Sequence, residues 1–114
     1  MLACFDIDGT LDADPTLFLS IMQAFRAAGH RVAVLTGCSS EAVTAEDVTD
    51  KETYLAQLGL GAAYDQLAVF SDPPHKAKGE WLLEHNADIL FDNSKQNARE
   101  APVLTLVPWK TRTD

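Results

Sequence analysis

The sequence is poor in basic residues. Its 114 residues carry 9 Lys and Arg against 17 Asp and Glu, which gives a formal charge of −8. A protein that covers nucleic acid needs a basic surface. We therefore expect no broad nucleic-acid-binding face, although one phosphorylated end held at a metal site remains compatible with this charge.

Cysteine and long apolar runs are also scarce. Two cysteines, Cys4 and Cys38, are too few for a disulfide framework and indicate free thiols in a reducing compartment. No apolar run approaches the ~20 residues of a membrane span, and the N-terminus lacks the features of a signal peptide. We expect one cytoplasmic domain, residues 1–114, with no membrane partner.

Predicted strands and helices alternate along the chain. Apolar segments predict strands at residues 2–7, 31–36, 67–70, 89–91 and 103–107. Start and stop signals predict helices between them: one that is capped by Asp14, begins at Pro15 and is closed by Gly29, a short one capped by Ser39 or Ser40, one with a capping box at 49–52, and two at 75–86 and 94–100. This alternation predicts an α/β fold with parallel strands, whose ligands bind beyond the carboxyl ends of the strands.

Two aspartates, Asp6 and Asp8, lie at the carboxyl end of the first predicted strand, beside the turn residue Gly9. Residues i and i+2 of an extended segment point to one side, so both carboxylates are expected to project together. Two such charges 4 Å apart repel by roughly 4 kcal/mol at an effective dielectric near 20. A bridging hard cation or a shared proton relieves this repulsion, and the amides of Gly9 and Thr10 can receive an anion. A simple Asp-Gly turn is the structural alternative, but the whole motif favours an Mg²⁺-dependent phosphatase.

Other polar residues are expected at the same edge of the sheet. Thr36 and Gly37 end the second strand, where a hydroxyl and backbone amides can hold phosphate, although strands also end in Thr-Gly for structural reasons. Asp92 ends the fourth strand and is either a third metal-binding carboxylate or a helix cap. Lys76 and Lys78 begin the helix after the third strand. Each alone is more often solvated, but a site with three acids and a phosphate needs a cation besides the metal.

Together these motifs resemble the haloacid dehalogenase (HAD) superfamily of phosphotransferases. The resemblance extends from residue 2 to about residue 107 and rests on residues 6–11, 34–37, 78 and 89–93. It implies a three-layer, Rossmann-like sandwich with five parallel strands in the order 3-2-1-4-5. It also implies that Lys78, by its spacing from Asp92, is the site lysine in preference to Lys76.

The resemblance further implies roles for the site residues. Asp6 would attack phosphorus and form an aspartyl-phosphate, and Asp8 would act as acid and then base. Thr36, Gly37 and Lys78 would bind the phosphate. Asp6, the backbone carbonyl of Asp8, and Asp92 would hold Mg²⁺.

The sequence departs from the family in two ways. Asn93 stands where members commonly carry a second acid, and no segment is long enough for a cap domain. The expected function is an Mg²⁺-dependent phosphomonoester hydrolase that acts on a nucleotide, a phosphorylated nucleic-acid end or a small metabolite phosphate. The alternatives are a catalytically weak or inactive binding or regulatory module, and a phosphotransferase. We also expect a homo-oligomer, in which another subunit closes the open site; the alternative is a large substrate that closes the site itself.

Overall fold

The computed structural model describes residues 1–113, which form one five-stranded parallel sheet in the order β3-β2-β1-β4-β5. The strands are β1 (Leu2–Phe5), β2 (Arg31–Gly37), β3 (Gln66–Phe70), β4 (Ile89–Phe91) and β5 (Leu104–Leu106). The helices are α1 (Pro15–Ala27), α2 (Ala45–Gln57), α3 (His75–Glu84) and α4 (Lys95–Glu100), with a π-type turn at Ile7–Leu11 and a 3₁₀ turn at Trp109–Thr111. The predicted α/β class, the parallel strands and the strand order are confirmed.

The central strand β1 is buried on both faces of the sheet. All four of its residues are buried, as expected for a strand of a parallel sheet that helices cover on both sides. It pairs with β2 through Phe5 and Val34, and with β4 through Phe5 and Phe91. Residues that follow β1 and β4 therefore lie side by side at the carboxyl edge.

The helices form two layers around the sheet. One apolar core joins α1 and α2 to one face of the sheet, with Phe5, Met22 and Leu55 fully buried in it. A second core lies on the other face, where Leu82 of α3 packs near Cys4 and Leu35. The result is the expected three-layer sandwich.

Helix α1 begins and ends as its sequence predicts. The Asp14 carboxylate accepts the amide of Leu17 at 3.1 Å, and Pro15 occupies the first turn, where a missing N–H costs nothing. At the other end Gly29 has a φ of 87°, the left-handed conformation that glycine adopts without strain.

The start of α2 differs from the prediction. Its capping box is formed by Thr44 and Asp47, whose side chains accept each other's backbone amides at 3.2 and 2.9 Å. The predicted box at residues 49–52 lies inside the helix, and residues 38–44 form a loop where a short helix was expected. The first strand also ends at Phe5 instead of residue 7, because the chain turns over Ile7–Leu11.

Cys4 and Cys38 are both free thiols. Burial, reinforced by the charge of Asp88, raises the pKa of Cys4 to about 12, which leaves it unreactive. Across residues 1–113, no helix has the length and apolar character needed to cross a membrane.

Candidate functional site

The candidate site lies where the order of successive strands across the sheet changes direction. The strands run outward from β1 to β3, and the next strand, β4, returns to the other side of β1. Ligands of open parallel sheets bind in the crevice at such a switch point. Asp6 directly follows β1 and Asp92 directly follows β4, so the fold brings these two predicted site residues together at the crevice.

Lys78 of α3 lies between these two carboxylates. Its Nζ donates to Asp6 Oδ1 at 3.0 Å and to Asp92 Oδ2 at 3.1 Å. The lysine is only 3% exposed, and Asp92 is fully buried. Lys76, the other lysine considered, is exposed on the same helix. The structure thus places Lys78, and not Lys76, in the site.

The buried cluster contains one cation, Lys78, and two acids, Asp6 and Asp92. This imbalance of charge contributes to the pKa shifts of its members. Burial raises the pKa of Asp6 to about 7; the charge of Lys78 opposes this rise and the charge of Asp92 adds to it. Although burial disfavours its charged form, the two carboxylates raise the pKa of Lys78 above its ordinary value. Near neutral pH the lysine is charged, and Asp6 exchanges between its protonated and ionised forms.

Two further residues hold Asp92 in place. Its Oδ1 accepts the amide of Ser94, and its Oδ2 accepts Nδ2 of Asn97, both at 2.9 Å. Ser94 is the N-cap of α4, because its hydroxyl accepts the amide of Asn97 at 3.1 Å. The sequence analysis missed Asn97. The signal that would have found it is its position three residues after the cap, where side chains turn back towards the start of a helix.

The turn after Asp6 is braced from α2. Asp8 is exposed, while the amide of Gly9 donates to Asp12 Oδ1 at 2.7 Å. Tyr54 donates its hydroxyl to the other oxygen of Asp12 at 2.9 Å. The Gly9 amide was expected to be available for an anion, but it is already bonded to Asp12. Thr10 is buried, and its hydroxyl has no partner within the described part of the chain.

A cavity of about 590 Å³ opens beside the ion cluster. The predicted residues Asp6, Asp8, Gly37, Lys78 and Asp92 line it, together with residues that the sequence analysis did not assign to the site, among them Lys51, Asn97 and Thr113. Thr36 does not line it: the residue is fully buried, and its hydroxyl donates to the carbonyl of Gly37 at 3.4 Å. Apart from Asn97, these missed residues come from distant parts of the chain, so no local pattern points to Lys51 or Thr113.

The carboxylates fit a metal only in part. No group of three or more His, Cys, Asp or Glu side chains within residues 1–113 is arranged to hold an ion. Asp6 and Asp92 supply two carboxylates, and the side chain of Asp8 is exposed. Mg²⁺ commonly binds one or two carboxylates, several waters and the phosphate of a ligand. The residues therefore suit an ion shared with a ligand, and not one enclosed by protein alone.

Comparison with known proteins shows a similarity of fold. No protein-family model matches the chain, and no curated protein matches it. A solved structure that does match is a universal stress protein in complex with cAMP, with a TM-score of 0.62 and 16% sequence identity over 94% of each chain. At this identity the likeness shows the architecture alone.

These comparisons contradict the resemblance drawn from the sequence. The matching structure described above is a universal stress protein, one of several that match, and no HAD model matches. We therefore withdraw the HAD assignment, and with it the enzyme role as an Mg²⁺-dependent phosphomonoester hydrolase with an aspartyl-phosphate. The physical reason is that any doubly wound sheet brings strand-end acids together, whatever its function.

Proposed function

We propose that this protein binds a phosphorylated small molecule, with nucleotides as the first class to test, in the cavity beside Lys78. The observation that carries the proposal is the position of one buried lysine between two buried carboxylates at the switch point of the sheet. The Lys78 ammonium bonds to two carboxylates. When a ligand or a cation binds one of these carboxylates, the ammonium can donate to a phosphate instead. The role is binding, without chemical conversion of the ligand.

The charge of the cavity supports a divalent cation in the complex. Four aspartates and two lysines line the cavity, which leaves a formal excess of two negative charges. A phosphate dianion would be repelled from such a surface. We propose that Mg²⁺ is held by Asp6, Asp92 and the backbone carbonyl of Asp8, and that it supplies the positive charge that a phosphate needs there.

The remaining predicted site residues are proposed to contact the phosphate. Gly37 lines the cavity at the end of β2 and has no side chain to block an approach to its backbone. A Cβ at this position would come within 2.9 Å of Pro74, so the close packing already requires glycine. Thr36 would contribute only if its hydroxyl left the carbonyl of Gly37.

Two observations favour a nucleotide. The cavity volume of about 590 Å³ falls within the range of small-molecule sites. The universal stress protein of the same architecture was crystallised with cAMP. A nucleotide combines the phosphate that the ion cluster would receive with a nucleoside that would fill the rest of the cavity.

Isothermal titration calorimetry with inorganic phosphate, AMP and cAMP, in Mg²⁺ and in EDTA, tests the proposal. We expect binding of at least one of them to weaken about tenfold or more without Mg²⁺, which corresponds to about 1.4 kcal/mol. Lys78→Arg keeps the charge but replaces a compact ammonium by a planar fork, and it should weaken binding similarly. Lys76→Met removes an exposed charge from the same helix and should leave binding unchanged.

Two results would contradict the proposal. One is the absence of heat and of thermal stabilisation with every ligand at millimolar concentration. The other is release of inorganic phosphate from a bound nucleotide in a manner that depends on Asp6, because a binding protein returns its ligand intact. Recovery of the bound ligand by chromatography distinguishes these cases.

Location and assembly complete the proposal. We place the protein in the cytoplasm, a location supported by the free thiols of Cys4 and Cys38. The expected homo-oligomer stays a prediction, which light scattering at working concentration tests.

A further inference from the structure

The last residues of the described chain cross the carboxyl edge of the sheet. After β5 the chain turns back at Trp109–Thr111 and reaches the cavity, which Thr113 helps to line. We call residues 109–113 the C-terminal strap. The strap passes the end of β4, at Asn93, and contacts the turn that follows β1, at Gly9. It therefore spans the switch point where the candidate site lies.

Asn93 holds the strap from both its side chain and its backbone. Its Nδ2 donates to the carbonyl of Thr111 at 2.7 Å, and its own carbonyl accepts the amide of Thr113 at 2.7 Å. The amide of Lys95 donates to the carbonyl of Thr113 at 2.6 Å, and Ser94 and Thr113 form a parallel bridge. An aspartate at this position could not make the first of these bonds, because a carboxylate has no hydrogen to give.

The turn after β1 completes the attachment. The hydroxyl of Thr111 donates to the carbonyl of Gly9. Asn93 also packs directly against Gly9: a Cβ at position 9 would lie 2.1 Å from Asn93 Nδ2, and the φ of Gly9 is 76°. Gly9 is thus required both for its conformation and for the room that it leaves to Asn93. The strap, Asn93 and Gly9 form one packed unit beside the ion cluster.

We propose that the C-terminal strap is a wall of the ligand cavity that sets the size of ligand accepted, and that Asn93 is the specificity-determining residue that holds this wall. Because Asn93 and Thr113 both line the cavity, the cavity cannot widen on that side unless their bonds break. This inference rests on the proposed binding function and assigns a purpose to the asparagine that stands after Asp92.

The test compares Asn93→Asp with Asn86→Asp. Asn86 is exposed in the turn after α3, has a φ of 52° that Asp tolerates, and gives the same change of charge away from the cavity. In Asn93→Asp the carboxylate faces the carbonyl of Thr111 and leaves it without a donor. We expect cleavage by trypsin after Lys110 and Arg112 to become about tenfold faster or more, because proteolysis follows the population of the open form. Asn86→Asp should be cleaved like the unmodified protein.

The second readout is the choice between ligands of different size. With Mg²⁺ present, the ratio of the dissociation constants for AMP and the larger dinucleotide NAD should shift about tenfold towards NAD in Asn93→Asp. Thr111→Val removes only the hydroxyl that bonds to Gly9, and it should shift the ratio in the same direction. This variant serves if Asn93→Asp does not fold.

The outcomes separate the two proposals. If the unmodified protein binds neither phosphate nor nucleotide, the proposed function fails and the size selection fails with it. If it binds them, but both strap variants retain its trypsin resistance and its ligand ratio, only the strap proposal is overturned.

Discussion

Aspartates lie at both edges of the sheet, and their partners differ. At the amino edge Asp88 and Asp65 each accept a strand amide at 2.8 Å, from Leu2 and Val32 respectively. Each also donates its own amide to the carbonyl of that same strand residue, at 2.9 and 2.8 Å. At the carboxyl edge Asp6 and Asp92 share one lysine instead.

The type of partner determines which acids are free to change their hydrogen bonds. A backbone amide is held in place by its strand. An acid that accepts it therefore keeps this partner and caps the end of the strand. A lysine ammonium moves on a flexible side chain, so it can exchange a hydrogen bond to one of the carboxylates for a hydrogen bond to an arriving ligand. Residue type is the same at both edges; burial and partner separate the structural acids from the candidate binding acids.

The largest expected effect comes from removing the shared lysine. Lys78→Met leaves Asp6 and Asp92 buried without their cation, and breaking a buried pair typically costs about 3–5 kcal/mol of unfolding free energy. Urea denaturation followed by circular dichroism measures this loss. The control Lys76→Met should change stability by less than about 0.5 kcal/mol, as exposed substitutions usually do. Equal losses in the two variants would show that the buried acids at the carboxyl edge do not depend on Lys78.

The protonation of Asp6 gives a pH-dependent test of the carboxyl edge. Its folded-state pKa of about 7 lies above the ordinary 3.8, so between these values the folded chain binds more protons than the unfolded chain. The stability from this group is fully present below the ordinary value and is lost as the pH rises through about 7. Asp6→Asn has no such proton to lose. In EDTA, the stability of this variant relative to the unmodified protein should therefore rise between pH 5 and pH 8, measured by urea denaturation.

If the difference in unfolding free energy between Asp6→Asn and the unmodified protein does not change with pH, burial does not raise the pKa of Asp6. The matched substitution Asp65→Asn, at the amino edge, changes an exposed acid. It provides the baseline for pH effects that arise elsewhere in the chain.

The two edges should also respond differently to removal of a single carboxylate. Asp88→Asn weakens the bond to the amide of Leu2 and should cost about 1 kcal/mol of stability, without any change in ligand binding. Asp92→Asn should weaken Mg²⁺-dependent binding about tenfold or more. Calorimetry and urea denaturation on both variants give the comparison. Loss of binding in Asp88→Asn would mean that the amino edge is coupled to the site.

Much of the architecture could be predicted because it depends on local patterns. The alternation of strands and helices gave the α/β class, and Asp14 with Pro15 marked the start of α1. The strand order was confirmed although it was inferred from a family assignment that the comparisons contradict. Unrelated doubly wound sheets share such topologies, so a correct fold does not validate the function attached to it.

The details of the site depend on contacts that sequence spacing does not encode. Thr49 and Thr44 both precede acids at capping distance, and only the surrounding loop decides that Thr44 is the cap. Thr113 reaches the cavity through a chain reversal after β5. Asn93 was noted as a departure from a motif, while its bond to Thr111 becomes visible only in the folded chain.

The smallest expected effect concerns the brace between α2 and the turn after β1. Tyr54 donates to Asp12, whose other oxygen holds the Gly9 amide, and this bond to the carboxylate keeps the pKa of Tyr54 above its ordinary value. Tyr54→Phe removes one hydroxyl and should cost about 0.5–1.5 kcal/mol in urea denaturation. Because the turn also carries Asp8, we expect ligand affinity to fall by a factor of about two to ten. Tyr64→Phe makes the same chemical change outside this brace and should leave affinity unchanged; an equal loss of affinity in both variants would mean that the brace does not position the turn.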